Sequence, residues 1–475
     1  MTIETARARW LALYVLCLGD LLIVLDVSIV NVALPSIRED LGFSEASLAW
    51  VVNAYTLTFG GFMLLAGRLG DLYGHRRVFV LGVGLFTLAS LACGLATSQE
   101  MLVGARAIQG IGGAVVAAVA LSLIMTLFTE PGERAKAMGV IGFVAAGGGS
   151  IGVLAGGVLT DLLNWHWIFL VNIPIGIGVI VACLVLLPGG SALAAQGRLD
   201  VTGAVLVTGS LMLAVYAIVN GNEQGWTSVQ TLGLLAVAAV GIAAFFVLEA
   251  RVQAPLMPLG ILKLRSIATS NIVGILWSAA MFAMFFLSAL YLQLVLGYSP
   301  LEVGLAFLPA NLIMGAFSIG LSAKIVMRYG TRLPLVVGMG FVAAGLGLFA
   351  RAPVDASFTV DVLPSMVILG IGIGMAMNPL LLAAMSDVKP EEAGLASGVV
   401  NTSFMMGGAL GLAVLASVAA AVTGDDTSPA ALTDGYHAAF IVGTRSAVAA
   451  GVVAAVFMRD VRAPAHGAEE ALHAA

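Results

Sequence analysis

The sequence predicts an all-α membrane protein of fourteen spans, two six-helix bundles with two additional transmembrane helices between them. Three observations carry that prediction. Of the 475 residues, 60% are hydrophobic and 10% charged, against about 25% charged in a soluble domain. A membrane-length window finds apolar runs near 10–33, 47–66, 78–97, 101–126, 138–160, 168–188, 201–221, 230–249, 267–295, 303–325, 334–350, 362–386, 398–421 and 438–458. The charged motif after the second run, Tyr73-Gly74-His75-Arg76, returns in part as Tyr329-Gly330-Thr331-Arg332 after the tenth, the pattern of a chain with two repeated halves.

The first run is too long for a signal peptide and carries Asp20 and Asp26 without a small-residue cleavage site. Basic residues then set the orientation. Only Arg38 and Arg351 fall in loops on one side, Arg106 and Arg445 fall inside spans, and the rest of the 21 Lys and Arg lie on the side of the N-terminus. That split supports an even number of spans and cytoplasmic termini in a multi-pass protein of the cell membrane. The two echoed motifs are displaced by eight spans, so spans seven and eight are the extra pair, flanked by the Gly- and Ala-rich stretch 189–197 and the basic segment 251–265. The expected domains are an N-terminal bundle at 1–190, the extra pair with its linkers at 191–265, a C-terminal bundle at 266–460 and a cytoplasmic tail at 461–475.

Composition also excludes partners. No basic tract suggests nucleic acid, and no nucleotide-binding loop suggests ATP. Cys17, Cys93 and Cys183 lie in apolar runs without metal-ligand spacing, and they read as small buried fillers. The expected partners are protons, the lipid bilayer and a small amphipathic molecule. The chain is expected to act as a monomer and to need no cofactor, a proton gradient supplying the energy.

Two intramembrane charges stand out. Arg106 lies well inside span four, where a cation needs a polar cavity or a partner. Gly110 and Gly113 share its helical face and leave room beside it. Asp26 in span one is the acid singled out for proton coupling with Arg106, because a carboxylate taken out of water favours its neutral form while a neighbouring cation favours the charged one. The other reading of Asp26 is a brace at a helix junction with Asn31. Asp20 and Asn31 share one helical face, and Asp26 points about 120° away from it. In span five, Ala145, Gly149, Gly152 and Gly156 leave one face almost bare, fit for close helix packing, for a bending hinge, or for both. Gly157 extends that glycine run.

Several segments, in order along the chain, resemble the major facilitator superfamily, in particular its fourteen-helix drug:proton antiporter family. GRLGDLYGHRR is similar to the superfamily's loop between helices two and three. Gly67, Asp71, Gly74, Arg76 and Arg77 match, whereas Leu72 and His75 stand where basic residues are common. LDVSIVNVALP resembles the first-helix motif, Arg106-x-x-Gln109-Gly110 the coupling-helix motif, and Trp165 to Phe169 with Asn172-x-Pro174 the connection from helix five to six. YLQLVLGYSP and GLASGVVNT are similar to the C-terminal motifs. The fifth-helix motif departs, since Val153 follows Gly152 where the family has proline. The resemblance implies a major facilitator fold, export by alternating access, and an Asp71 that braces the cytoplasmic gate. In such a packing Asp71 would meet the positive dipole end of span thirteen, near Ser397.

For substrate the spans offer a greasy lining with few charges: Asn31, Trp50, Asn53, Tyr55, Gln109, Tyr291, Gln293, Asn311, Met314, Asn378, Asn401 and Met405. Met and aromatic side chains suit bulky amphipathic molecules. The sequence therefore predicts a proton-coupled antiporter that exports hydrophobic or amphipathic drugs or antibiotics. The alternatives are an exporter of a lipid or of one endogenous metabolite, and a nontransporting sensor. An enzyme is not expected, because no histidine clusters with acids at catalytic spacing.

Overall fold

The computed structural model describes residues 6–128, 131–186, 200–252, 255–256, 259–317, 321–388, 393–424, 426 and 428–460. Among them the first half contributes α1 (Ala6–Leu41), α2 (Trp50–Tyr73), α3 (His75–Gly94), α4 (Gln99–Leu127), α5 (Pro131–Leu162) and α6 (Asn172–Leu186). Two further helices follow, α7 (Val201–Val219) and α8 (Val229–Glu249). The second half holds α9 (Arg265–Phe282), α10 (Pro300–Ala316), α11 (Arg332–Phe349), α12 (Leu363–Met385), α13 (Ala393–Thr423) and α14 (Pro429–Phe457). Twelve helices among the described residues are long and apolar enough to cross a membrane, and Ile151–Leu162 and Pro300–Ala316 are shorter apolar helices. The protein is thus an all-helical, multi-pass membrane protein, as a bilayer demands of chains that must satisfy their backbone internally.

Sequence chemistry marks the helix ends. On the face opposite the termini, serines cap the starts of four helices: Ser98 accepts from Met101 N, Ser228 from Thr231 N, Ser299 from Glu302 N and Ser428 from Ala431 N. On the termini face, glycine makes two of the turns. Gly74 separates α2 from α3 with φ +90°, and Gly330 ends the helix Ser322–Tyr329 with φ +75°. The echoed Tyr-Gly pairs thus do the same backbone work in both halves, a conformation that side chains other than glycine rarely adopt.

This geometry corrects one expectation. Gly67 and Asp71 do not lie in a loop: α2 continues through Tyr73, and Gly74 is the single non-helical residue before α3. Glycine lowers helix propensity only modestly, and a helix leaving the membrane keeps its backbone hydrogen bonds by running on. The first span is also longer than its apolar run, because Pro35 is accommodated inside α1. Beyond Phe282 the chain stays helical through two π-helical turns, Ala283–Leu287 and Tyr291–Val295.

Glycine faces set the packing. A Cβ at Gly152 would stand 2.8 Å from Ser28, and one at Gly156 would stand 2.7 Å from the Ile29 carbonyl, so α5 lies directly on α1. Gly157 faces the other half, where a Cβ would come within 2.6 Å of the Pro300 carbonyl. α7 fills the seam between α2 and α13: Leu211, Val215 and Val219 pack with Leu57, Ala409 and Ala413. At one end of that seam Asn222 donates to the Ser417 carbonyl at 2.7 Å, and Ser417 Oγ donates to the Ile218 carbonyl at 2.8 Å. α8 lies outside α7 and turns Val237 and Val240 outward.

Candidate functional site

The N-terminal half encloses a polar network built around one ion pair. Asp26 and Arg106 are 0% and 1% exposed, and Arg106 Nη1 donates to Asp26 Oδ2. Arg106 Nε donates to the Val51 carbonyl at 2.9 Å, and Nη1 also donates to Gln109 Oε1 at 2.8 Å. Gln109 Nε2 reaches Asp26 Oδ1 at 2.7 Å and Ser90 Oγ at 3.1 Å. Asn172 Nδ2 donates to Asp26 Oδ1 at 3.2 Å and to Ser90 Oγ at 3.0 Å, while Ser90 donates onward to the Phe169 carbonyl at 2.9 Å. Four helices, α1, α3, α4 and α6, thereby supply side chains to one network around a single carboxylate.

Local sequence explains how the guanidinium fits. Arg106, Gly110 and Gly113 share a face of α4. A Cβ at Gly110 would meet the Tyr55 carbonyl at 2.3 Å, so α2 sits against α4 there. The Tyr55 ring lies under the guanidinium at 4.3 Å, and the Phe169 ring is 5.7 Å away. Thr58 Oγ1 donates to the Ala107 carbonyl at 2.7 Å and pins the two helices beside the pair. A buried pair needs its remaining donors and lone pairs satisfied, and here the amides of Gln109 and Asn172 and the Val51 carbonyl do that. Such a site can take up or give up a proton at Asp26 only by rearranging the bonds that join the four helices.

The candidates named from sequence divide by location. Asp26, Arg106, Tyr55 and Gln109 come together in the network. Asn31 donates to its own helix at the Val27 carbonyl, 3.0 Å away, and makes no bond to Asp26 among the described residues. Asn53 is fully buried in α2, and neither end of its amide has a hydrogen-bond partner among the described residues. Trp50 packs in the α7 seam. In the second half, Tyr291 donates to the Pro353 carbonyl at 2.6 Å, and Gln293 crosses between the halves to the Val32 carbonyl at 2.7 Å. Asn311 is buried with its amide nitrogen unpartnered among the described residues, and Met314 packs on the large core cluster. Asn378 and Asn401 are half-buried in α12 and α13. Met405 reaches across to Gly60, where a Cβ would stand 2.8 Å from its own.

On the termini face, Arg76 donates to the Leu184 carbonyl and ties the start of α3 to the end of α6, while Arg77 is exposed. Gly67 has open space beside it, and a Cβ at Gly149 would have only Ser28 Oγ near, at 3.7 Å. The side chains of Asp71, Ala145 and Ser397 and the tail 461–475 lie outside the described residues. Sequence reasoning gives Ser90 and Cys93 no functional role, and it marks Asn172 only through the Asn-x-Pro motif. For Ser90 the available signal is a polar residue among apolar ones on α3.

The Major Facilitator Superfamily description matches residues 16–412. The chain belongs to that superfamily. Among relatives of this member, the puromycin resistance protein pur8 of Streptomyces alboniger is 41% identical over 455 residues, which cover 94% of this chain and 90% of that protein. The cephamycin export protein CmcT of Amycolatopsis lactamdurans is 40% identical over 432 residues, covering 90% and 88%. The chain shares its fold with a point mutant of the nucleoside transporter NupG, with a TM-score of 0.68 at 14% identity over 94% of this chain and 100% of that one.

Proposed function

We propose that the protein is a proton-coupled antiporter of the fourteen-helix drug:proton type, exporting hydrophobic or amphipathic drugs or antibiotics by alternating access. The observation that carries the reading is the sealed Asp26–Arg106 network, an ionisable group placed where its protonation must loosen contacts among α1, α3, α4 and α6. Relatives named for antibiotic resistance and export support the substrate class.

In this reading a proton arriving at Asp26 removes the negative charge that Arg106 holds. Arg106 keeps its bonds to the Val51 carbonyl and Gln109, both on the α2 and α4 side, so the charged tie between α4 and α1 is lost and only the neutral bond from Gln109 to Asp26 still joins them. The halves then exchange the side on which they are closed. Gln293 on Val32, and Gly157 on Pro300, join the halves away from the termini in the state described. The two helices α7 and α8 are the insertion between six-helix bundles, with Ile151–Leu162 and Pro300–Ala316 belonging to the fifth and tenth spans. Both termini are cytoplasmic, the membrane is the plasma membrane, and the working unit is a monomer driven by the proton gradient without a cofactor.

The test is proton release on substrate addition by purified protein, paired with uphill transport in liposomes carrying an imposed pH gradient. Export that persists unchanged when the gradient is collapsed by a protonophore excludes antiport.

A further inference from the structure

One intramembrane arginine is turned away from the protein. On α14 the residues Tyr436, Phe440, Gly443, Ala447, Ala450 and Ala454 are buried and form the packed face. The opposite face carries Ile441, Arg445, Val448, Val452 and Val456, all exposed and at helical spacing. Such a stripe is what a span turns to lipid, and Arg445 interrupts it. The hydroxyls on either side are turned back into the protein: Thr444 donates to the Phe440 carbonyl and Ser446 to the Leu276 carbonyl, each at 2.9 Å.

Among the described residues Arg445 makes no side-chain hydrogen bond, ion pair or ring contact. The chain also lacks an anion that could reach it. α14 packs on α9 with its π-helical continuation, on α11 and on α13, and none of these segments contains Asp or Glu. Within α14 the one acid is Asp434, eleven residues up the same face and about 16 Å along the axis, too far for a side chain to bridge. A second copy of the chain supplies nothing nearer. The acids deep in a span are Asp20 and Asp26, both on α1, a helix packed inside the first half against α4, α5 and α6. A cation in the bilayer is costly without a partner, so the counter-charge comes from the membrane itself.

Depth and direction choose its source. α14 becomes polar at His437, whose Nε2 donates to the Ala352 carbonyl in the loop after α11 at 2.8 Å, and the chain becomes polar again at Arg459. Arg445 lies eight residues from the first and fourteen from the second, about 12 Å and about 21 Å at 1.5 Å per residue. Helical side chains lean toward the helix N-terminus, here toward His437 and the face opposite the termini, so the guanidinium reaches that way over Ile441. We propose that Arg445 holds the phosphate of an anionic phospholipid in the leaflet away from the termini, with an acyl chain lying along Val448, Val452 and Val456. Guanidinium and phosphate match in a two-bonded fork. An anionic lipid fits better than a zwitterionic one, because choline or ethanolamine already neutralises the phosphate it is joined to. The site is independent of the export reading.

The experiment is native mass spectrometry of the purified full-length protein, titrated with phosphatidylglycerol or with phosphatidylcholine of the same acyl chains. Parent, Arg445→Leu and Arg445→Lys are compared. The apparent affinity for the first phosphatidylglycerol should fall at least fivefold in Arg445→Leu, and Arg445→Lys should keep most of it. Phosphatidylcholine should bind the parent and Arg445→Leu within twofold of each other. Ratios of bound to free are read on folded ions, so a lower yield of a variant does not enter them. Phosphatidylglycerol binding within twofold of the parent in Arg445→Leu overturns the proposal, as does an equal loss for both lipids, which would make this face a surface for acyl chains alone. A parent that is a dimer and an Arg445→Leu variant that is a monomer overturn it too, since a second copy then covers the arginine.

Discussion

Gln109 touches both members of the ion pair: its carbonyl accepts from Arg106 at 2.8 Å, and its amide donates to Asp26 at 2.7 Å. It lies on the same helix as Arg106, one turn further along, so the guanidinium and the amide reach the carboxylate as a unit. In the proposed cycle Gln109 sets the geometry to which Asp26 returns after each proton leaves.

Replacing Gln109 with Leu should therefore lower substrate-driven proton release at least tenfold while leaving the protein in the membrane. The substitution removes one bond from each partner of a buried pair, and an unsatisfied buried polar group costs about 1–3 kcal/mol. Proton release and thermal unfolding in detergent, measured on the same preparation, check both parts. Parent-like values of both would show that Gln109 is a bystander.

Asp26→Asn should abolish proton release yet keep measurable binding of an uncharged compound, since the amide cannot exchange a proton but fills the same space. Arg106→Leu should be the more damaging change for stability, because it strands a buried carboxylate at a cost of about 3–5 kcal/mol. The double variant should unfold at a higher temperature than Arg106→Leu alone. Additive losses in that cycle would count against the pairing.

At the turns, Gly74→Ala and Gly330→Ala should each destabilise the protein, by about 1–3 kcal/mol for a side chain forced into positive φ. Gly330→Ala should be the worse of the two, since its new Cβ would stand 2.0 Å from Asp460 Oδ1. Differential scanning calorimetry of the two variants gives the order, and a neutral Gly330→Ala would contradict the described turn.

Gly157→Leu should pry apart the contact between α5 and Pro300 and favour the state open on the side away from the termini. Ser36 borders a cavity of about 510 Å³ on that side, together with Gln293 and Tyr298. A cysteine placed at Ser36 should then react faster with a membrane-impermeant maleimide than in the Gly157 parent. The native Cys17, Cys93 and Cys183 are buried, which keeps background labelling low. An unchanged rate would rule out Gly157 as a spacer for closure.

Much of the site was legible because helical geometry is rigid. The offset of Asp26 from Asp20 and Asn31 around α1, and the shared face of Arg106, Gly110 and Gly113, follow from about 100° per residue and reappear in the contacts. The recurrence of Tyr-Gly located two matching turns. Ser90 and Asn172 were less legible in their roles, because a neutral polar residue on a membrane helix has no charge to mark it, and only tertiary packing shows which carboxylate it serves. Gly67 to Arg77 misled for the opposite reason: glycines and charges together imitate a loop, while the backbone simply continues as helix. Trp50 and α7 illustrate a third limit, since nothing in the periodicity of either segment says that one packs against the other.

The thiol of Cys93 adds something that neither charge nor packing supplies. Its sulfur lies 3.7 Å from Gln109 Oε1, the same oxygen that receives Arg106. A thiol is a weak donor, and its stretching vibration absorbs in an infrared window that amides, carboxylates and water leave nearly clear. Any change in how Gln109 divides its oxygen between sulfur and guanidinium will move that band. The protein thus carries its own spectroscopic label one residue away from the carboxylate, and a change in the bonds around Asp26 can be followed without introducing a foreign atom.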